Sequence, residues 1–150
     1  MAFSLSSRSL AKLEGVKPEL VEVVKRAIEL TKTDFGVIYG MRTQEEQQKL
    51  FDSGKSQTLK SKHLTGDAVD LMAYVDGKAS WELNLYDDLA DAMKWAATEK
   101  GVKIRWGAAW TVSDIAAWDG TMEEAMMSYI DTRRAESRRP FIDGPHFELN

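Results

Sequence analysis

The sequence predicts an α+β fold, on three observations. Four short apolar runs, at 34–39, 68–74, 102–106 and 146–149, have the length and composition of strands. Three other segments carry apolar residues at helical spacing. The two kinds of segment do not alternate cleanly along the chain, which argues against a doubly wound α/β sheet.

The first helix is read over residues 18 to about 32. Pro18 suits its first turn, and Leu20, Val24, Ala27, Ile28 and Thr31 recur on one side. Asp34 to Tyr39 (DFGVIY) is a strand closed by Gly40. Thr43 and Glu46 have capping-box spacing and start a short helix whose apolar residues are Leu50 and Phe51. Residues 52 to 66, rich in Ser, Gly, Lys and Thr, read as a long surface loop, and a loop of that length in a small domain is often functional. Ala68 to Tyr74 (AVDLMAY) is a buried strand, with a turn at Asp76-Gly77. Leu85, Leu89, Ala92, Met93 and Ala96 define a second long helix that ends near Lys100-Gly101. A strand at Val102 to Trp106 follows. Thr121 and Glu124 cap a third helix carrying Met122, Ala125, Met126 and Tyr129, and His146 to Leu149 is a terminal strand after the Gly144-Pro145 turn.

A chain of 150 residues is most simply one domain, here 1–150. Its 43% hydrophobic and 29% charged residues are those of an ordinary globular protein. With 20 basic and 24 acidic residues the net charge is −4, so no nucleic-acid partner is expected. There are no cysteines, which removes disulfides, thiolate metal sites and cysteine nucleophiles together, and leaves His, Asp and Glu as metal ligands. The opening MAFSLSSRSLAKLEG lacks the apolar core of a signal peptide, being interrupted by Arg8 and Lys12. No run approaches the roughly 18 apolar residues of a membrane span. The expectation is a cytoplasmic product without stable membrane association, which needs outside help to reach anything beyond the membrane.

Chemistry concentrates around the only two histidines. His63 lies in Ser61-Lys62-His63-Leu64-Thr65-Gly66-Asp67-Ala68-Val69-Asp70, and His146 in Asp143-Gly144-Pro145-His146-Phe147-Glu148. Asp70 interrupts an apolar strand, and a carboxylate among Val69, Leu71 and Met72 needs a compensating charge. A metal ion supplies one. Two imidazoles and a carboxylate suit Zn²⁺ with a fourth position left for water. Such a site needs a base, for which Asp143 is the first candidate and Glu148 the second. It also needs positive charge where an oxyanion develops; Arg42, after the strand and before the capped helix, is the candidate. Ser61 is placed to hydrogen-bond substrate or to orient the metal site.

Each feature has a plainer reading. A lone His near an Asp is more often a structural pair. Asp70 can pair with a buried Arg or Lys, Arg42 with a surface acid, and Asp143 can be an ordinary turn residue. Arg133, Arg134, Arg138 and Arg139 read as a solvated helix end. The five tryptophans read as core, although Trp106 and Trp110 flank a loop where they can line a cleft.

Ser61-x-His63-x-x-Gly66-x-Ala68-x-Asp70 resembles the SxHxxGxAxD zinc signature of the D-Ala-D-Ala carboxypeptidase and dipeptidase metallopeptidases, and Asp143-x-x-His146 resembles their closing motif. Asp at the base position is similar to the branch of phage endolysins that are L-alanyl-D-glutamate peptidases. So are Arg8-Ser9-Leu10, Leu13-Glu14-Gly15-Val16, Gly40-Met41-Arg42-Thr43, Arg105-Trp106-Gly107 and the run to Leu149. The resemblance covers about Arg8 to Leu149, with a helical insertion near 108–142.

It implies a small central antiparallel sheet flanked by helices, the DD-peptidase/Hedgehog-like zinc peptidase fold. It also implies Zn²⁺ on His63, Asp70 and His146, with Asp143 as base and Arg42 as oxyanion or substrate-carboxylate contact. The implied substrate is peptidoglycan, cut between L-Ala and D-Glu by a monomeric endolysin that a holin releases to the wall. Two alternatives stay open: a D-Ala-D-Ala carboxypeptidase or dipeptidase of the same fold, and a non-catalytic wall-binding module.

Overall fold

A computed structural model describes residues 3–56 and 59–150. Its centre is a five-stranded antiparallel sheet in the order β1-β2-β5-β4, with the short β3 paired to β2. The strands are β1 (Asp34–Tyr39), β2 (Ala68–Val75), β3 (Lys78–Ser80), β4 (Ile104–Trp106) and β5 (His146–Leu149). The helices are α1 (Ser7–Lys12), α2 (Pro18–Leu30), α3 (Gln44–Asp52), α4 (Leu83–Lys100) and α5 (Met122–Ala135). The architecture is the α+β class read from the sequence. No helix is long and apolar enough to cross a membrane among the described residues.

Register decides which side chains share a face of the sheet. Val37 lies opposite Leu71, Val69 opposite Phe147, and Phe147 opposite Trp106. These residues are buried in one core with Leu20, Val24, Ala27 and Ile28 of α2 and Leu89, Met93 and Ala96 of α4. The alternate residues Asp70 and His146 face each other across the β2–β5 pair, as do Ala68 and Glu148. They occupy the other face of the same strands. The sheet therefore carries its apolar core on one side and its polar cluster on the other.

The sequence signals for caps hold in detail. Thr43 with Glu46 and Thr121 with Glu124 both form reciprocal capping boxes. Gly101 ends α4 in the left-handed conformation (φ 68°).

Four elements were not anticipated, the 3₁₀ turn at Ile115–Ala117 among them. Helix α1 is only six residues long, too short for periodicity to show; its Ser9 hydroxyl accepts from the Val37 N–H at 3.0 Å and so supports β1. Strand β3 follows Asp76 (φ 52°) and Gly77 (φ 77°), two consecutive positive-φ residues that fold β2 back into a hairpin. The Asp-Gly pair carried that signal, but Lys78–Ser80 has no apolar alternation to mark a strand. The supposed structureless loop at 52–66 contains a 3₁₀ turn at Lys62–Thr65, capped by the Ser61 hydroxyl. Gln57 and Thr58 in the same stretch lie outside the described residues.

The stretch 108–142 holds a second 3₁₀ turn (Ile115–Ala117) and α5. Met122, Ala125 and Met126 enter the core, and the Tyr129 hydroxyl ties down Phe141 by accepting from its N–H at 2.9 Å. Where α5 meets α4, acids crowd together. Burial, with the charges of Glu123, Asp91 and Asp88, pushes the Asp87 carboxyl up to about 6, and its Oδ1 is buried without a hydrogen-bond partner. The folded protein thus binds this proton more tightly than the unfolded chain does. Stability falls as pH rises from about 4 toward 6, and the penalty is complete above that range. Asp87→Asn is expected to raise the melting temperature at pH 7.5, with a gain that shrinks toward pH 4. Thermal melts across that range check it; a gain independent of pH would contradict the assignment.

Candidate active site

Three segments deliver the predicted ligands to one point. Asp70 of β2 and His146 of β5 are register partners, and Tyr39 at the end of β1 flanks Asp70 on the other side. His63 comes from the 3₁₀ turn that precedes β2. The turn can close onto the sheet because Gly66 adopts a left-handed conformation (φ 75°) and packs tightly. A Cβ there would stand 2.3 Å from the Gly15 carbonyl oxygen, so the glycine of the ten-residue signature is a steric requirement.

Hydrogen bonds fix which nitrogen of each imidazole faces inward. The His63 Nδ1 lies 2.7 Å from the Gly40 carbonyl oxygen, which only accepts, so Nδ1 carries the hydrogen. Its Nε2 lone pair then faces Asp70 Oδ1 at 3.3 Å. His146 is turned the other way: Nε2 lies 2.9 Å from Glu148 Oε1, and Nδ1 lies 3.0 Å from Asp70 Oδ1. One donor atom from each of the three residues falls within 4.8 Å of the others.

Two imidazole lone pairs aimed at one carboxylate oxygen repel it unless a cation lies among them. Either a proton or a metal ion can meet that demand. Burial opposes charge on His146, but hydrogen bonds to Asp70 and Glu148 outweigh it and hold the imidazolium up to about 9. Burial likewise opposes charge on Asp70, yet His146 and His63 drive its carboxyl well below the usual range. A buried N, N, O donor set in a site that requires positive charge fits a divalent metal, and two imidazoles with one carboxylate fit zinc.

Glu148, the second candidate for base, is already engaged on both sides in this arrangement. Its carboxylate is engaged with the ring nitrogen of His146 that points away from the site, and with Lys62 Nζ at 3.3 Å. Burial pushes its pKa up, but His146 and Lys62 more than reverse this. This is the carboxylate–histidine support that fixes a metal ligand's tautomer. Glu148→Ala is expected to weaken zinc binding by about 10–100-fold in a chelator competition. Unchanged affinity would remove Glu148 from this role.

Asp143 sits on the rim of the same cavity, a cleft of ≈ 930 Å³ that also exposes Arg42, Ser61, His63, Asp70 and His146. Burial, then the nearby charge of Asp70, raises the Asp143 pKa. Its backbone is pinned at both ends: its N–H donates to the Gly107 carbonyl at 2.9 Å, and its carbonyl accepts from the His146 N–H at 3.1 Å. A Cβ at Gly107 would stand 2.2 Å from the Asp143 carbonyl oxygen. Gly107 of the Arg-Trp-Gly stretch is thus needed for the Asp143 loop to approach β4.

Arg42 is held from several sides. Its N–H donates to the His63 carbonyl at 2.9 Å, Nη1 donates to Gln47 Oε1 at 2.7 Å, and Nη2 is 3.9 Å from Asp70 Oδ2. Its guanidinium also lies over the Tyr39 ring at 5.4 Å. Gln47 is the one fully buried residue of the polar helix α3, and its amide continues to Ser56 at 2.9 Å. Sequence reading missed Gln47; the signal was an uncharged polar residue one turn beyond the capping Thr43. The Ser61 hydroxyl accepts from the His63 N–H at 3.2 Å, which orients the ligand turn.

The tryptophans divide. Trp106 is fully buried and donates from Nε1 to the Gly144 carbonyl at 2.7 Å, whereas Trp110 lines the cleft, 5.7 Å from the His146 ring. Phe141, not singled out from the sequence, stacks on Trp110 at 6.4 Å and lines the cleft too. The stretch 108–142 therefore supplies one aromatic wall of the site. Arg134, Arg138 and Arg139 are exposed and Arg133 lies over the Tyr129 ring, as a solvated helix end would place them.

Comparison with known proteins places the chain in one family. The family model described as phage L-alanyl-D-glutamate peptidase matches residues 1–150. The chain is 35% identical over 153 residues to the L-alanyl-D-glutamate peptidase of Escherichia phage T5, covering 99% of each chain. It is 28% identical over 109 residues to the L-alanyl-D-glutamate peptidase of Listeria phage A118, covering 70% of this chain and 37% of that one. Among solved structures it resembles the L-Ala D-Glu endopeptidase ChiX of Serratia marcescens, with a TM-score of 0.71 and 34% identity over 96% of this chain and 87% of the other. A metal-competent His/Asp/His cluster beside the half-buried Asp143, on a full-length family match, leads to one conclusion: this chain belongs to the phage L-alanyl-D-glutamate peptidase family.

Proposed function

We propose that the chain is a zinc-dependent endopeptidase that hydrolyses the L-Ala–D-Glu bond of peptidoglycan stem peptides. The observation that carries the chemistry is the convergence of two imidazole lone pairs and the Asp70 carboxylate beside the raised Asp143. His63, Asp70 and His146 hold the ion. A zinc ion bound there lowers the pKa of water and polarises the scissile carbonyl. Asp143 takes the proton of the attacking water and delivers it to the leaving amine; its raised pKa suits it to both steps. Arg42 lines the cleft and spends only part of its five N–H donors on Gln47 and Asp70, which leaves others for the oxyanion or a substrate carboxylate. Lys55, Lys60 and Lys62 on the cleft wall favour a stem peptide rich in carboxylates.

In this reading the chain acts as a monomer, accumulates in the host cytoplasm and reaches the wall once a holin opens the inner membrane. The test is mass spectrometry of purified peptidoglycan digested by the zinc-loaded protein, with a chelated control. Peptides beginning at D-Glu, formed only with metal, are the expected result. Released D-Ala would move the function to a trimming carboxypeptidase, and binding to wall fragments without any product would leave a wall-binding module.

A further inference from the structure

Asp143 borders two cavities. Beside the catalytic cleft lies a smaller one of ≈ 390 Å³, lined by Trp81, Leu83, Tyr86, Ile142 and the Asp143-Gly144-Pro145 turn. We propose that this cavity is a saccharide subsite that seats the muramoyl sugar to which the stem peptide is attached. The proposal rests on the function proposed above and specifies its substrate.

The position follows from wall chemistry. L-Ala is the first residue of the stem and is amide-linked to the lactyl arm of the sugar. Cleavage on its carboxyl side places the sugar within about one residue, roughly 3.6 Å of chain plus the lactyl arm, of the reacting carbonyl. A cavity sharing the wall formed by Asp143 lies within that reach.

The lining suits a neutral ring. Trp81 is 63% exposed, although an indole ordinarily gains from burial. Its ring lies nearly parallel to that of Tyr86, 10° apart with centroids at 6.3 Å. Tyr86 is itself fixed, donating from its hydroxyl to the Ser80 carbonyl at 2.8 Å and accepting from the Ala73 N–H at 3.2 Å. Gly144 lies close against the Tyr86 ring, where a Cβ would come within 3.3 Å, and its carbonyl is held by Trp106. The Tyr86 base of the platform is therefore fixed before any ligand arrives. Asp143 is the one charged residue of the lining, and it has no basic group, unlike the catalytic cleft with Arg42 and its lysines. One cavity thus favours an anionic peptide and the other an uncharged pyranose, whose C–H face packs on an aromatic ring.

The test compares kcat/KM of the zinc-loaded chain on a disaccharide-linked stem peptide and on the same peptide without sugars. The wild type is expected to prefer the linked substrate by about fivefold to tenfold. Trp81→Ala is expected to lose that preference through a higher KM on the linked substrate alone. Trp81→Phe keeps an aromatic face and should retain most of the preference. Trp95→Ala, an exposed indole on α4 outside both cavities, should match wild type on both substrates. Equal wild-type rates on the two substrates, or a Trp81→Ala loss shared by both, would overturn the subsite alone. Failure of the wild type to cut either substrate between L-Ala and D-Glu would overturn the functional reading, and the subsite with it.

Discussion

Asp143→Asn is expected to reduce turnover on peptidoglycan by about 10³-fold while zinc stays bound, and Asp143→Ala to abolish it. Positioned acid–base groups are worth roughly 10²–10⁴-fold. The side chain lines the cavity and is not among the three groups placed to hold a metal ion. Its loop is fixed through the backbone, by Gly107 and His146, so the substitution leaves the scaffold in place. Turnover and zinc content should therefore separate cleanly. The checks are kcat on purified wall and metal content by mass spectrometry. Robust lysis by Asp143→Ala would require another base, and no other unengaged acid lines the cleft among the described residues: Asp70 and Glu148 are both committed to histidines.

Asp70→Asn is expected to remove zinc binding and turnover together. Asp70 is the hub of the cluster, 3.0 Å from His146 Nδ1 and 3.3 Å from His63 Nε2. An amide of the same shape supplies no charge to balance a divalent ion in a buried site. The loss of affinity should exceed the ~10–100-fold expected when only a supporting residue is removed. That places it beyond Glu148→Ala, and the ranking of the two variants is itself a test. Chelator competition measures both affinities. If Asp70→Asn holds zinc as tightly as Glu148→Ala does, the carboxylate does not ligate the ion. Excess zinc should restore turnover to Glu148→Ala and leave Asp70→Asn inactive.

Much of this was legible in the sequence because the relevant forces are local. The capping boxes at Thr43 and Thr121 involve residues three apart, so composition alone shows them. Strand β2 announced itself by apolar content, and Asp70 stood out as a charge that such a strand cannot bury alone. The candidate ligands are legible from spacing and resemblance because two histidines and no cysteine leave few alternatives. That Gly66 and Gly107 stand against the distant carbonyls of Gly15 and Asp143 was not visible in the sequence.

Tertiary structure decided the rest. Which imidazole nitrogen faces Asp70 depends on the Gly40 carbonyl, 23 residues from His63, and on Glu148. Sequence alone set Glu148 beside His146 as a candidate base; in the fold its carboxylate is engaged by both His146 and Lys62. Gln47 looked like one more polar residue of α3 until Arg42 closed over it. Trp106 and Trp110 had equal claims to the cleft, and packing buried one and exposed the other to it. Periodicity and capping depend on neighbours in the chain, so the sequence determined the elements and the chemical inventory. Ring orientation, the partners of each acid and the second cavity depend on which distant strands meet and in what register, and only the folded chain settles that.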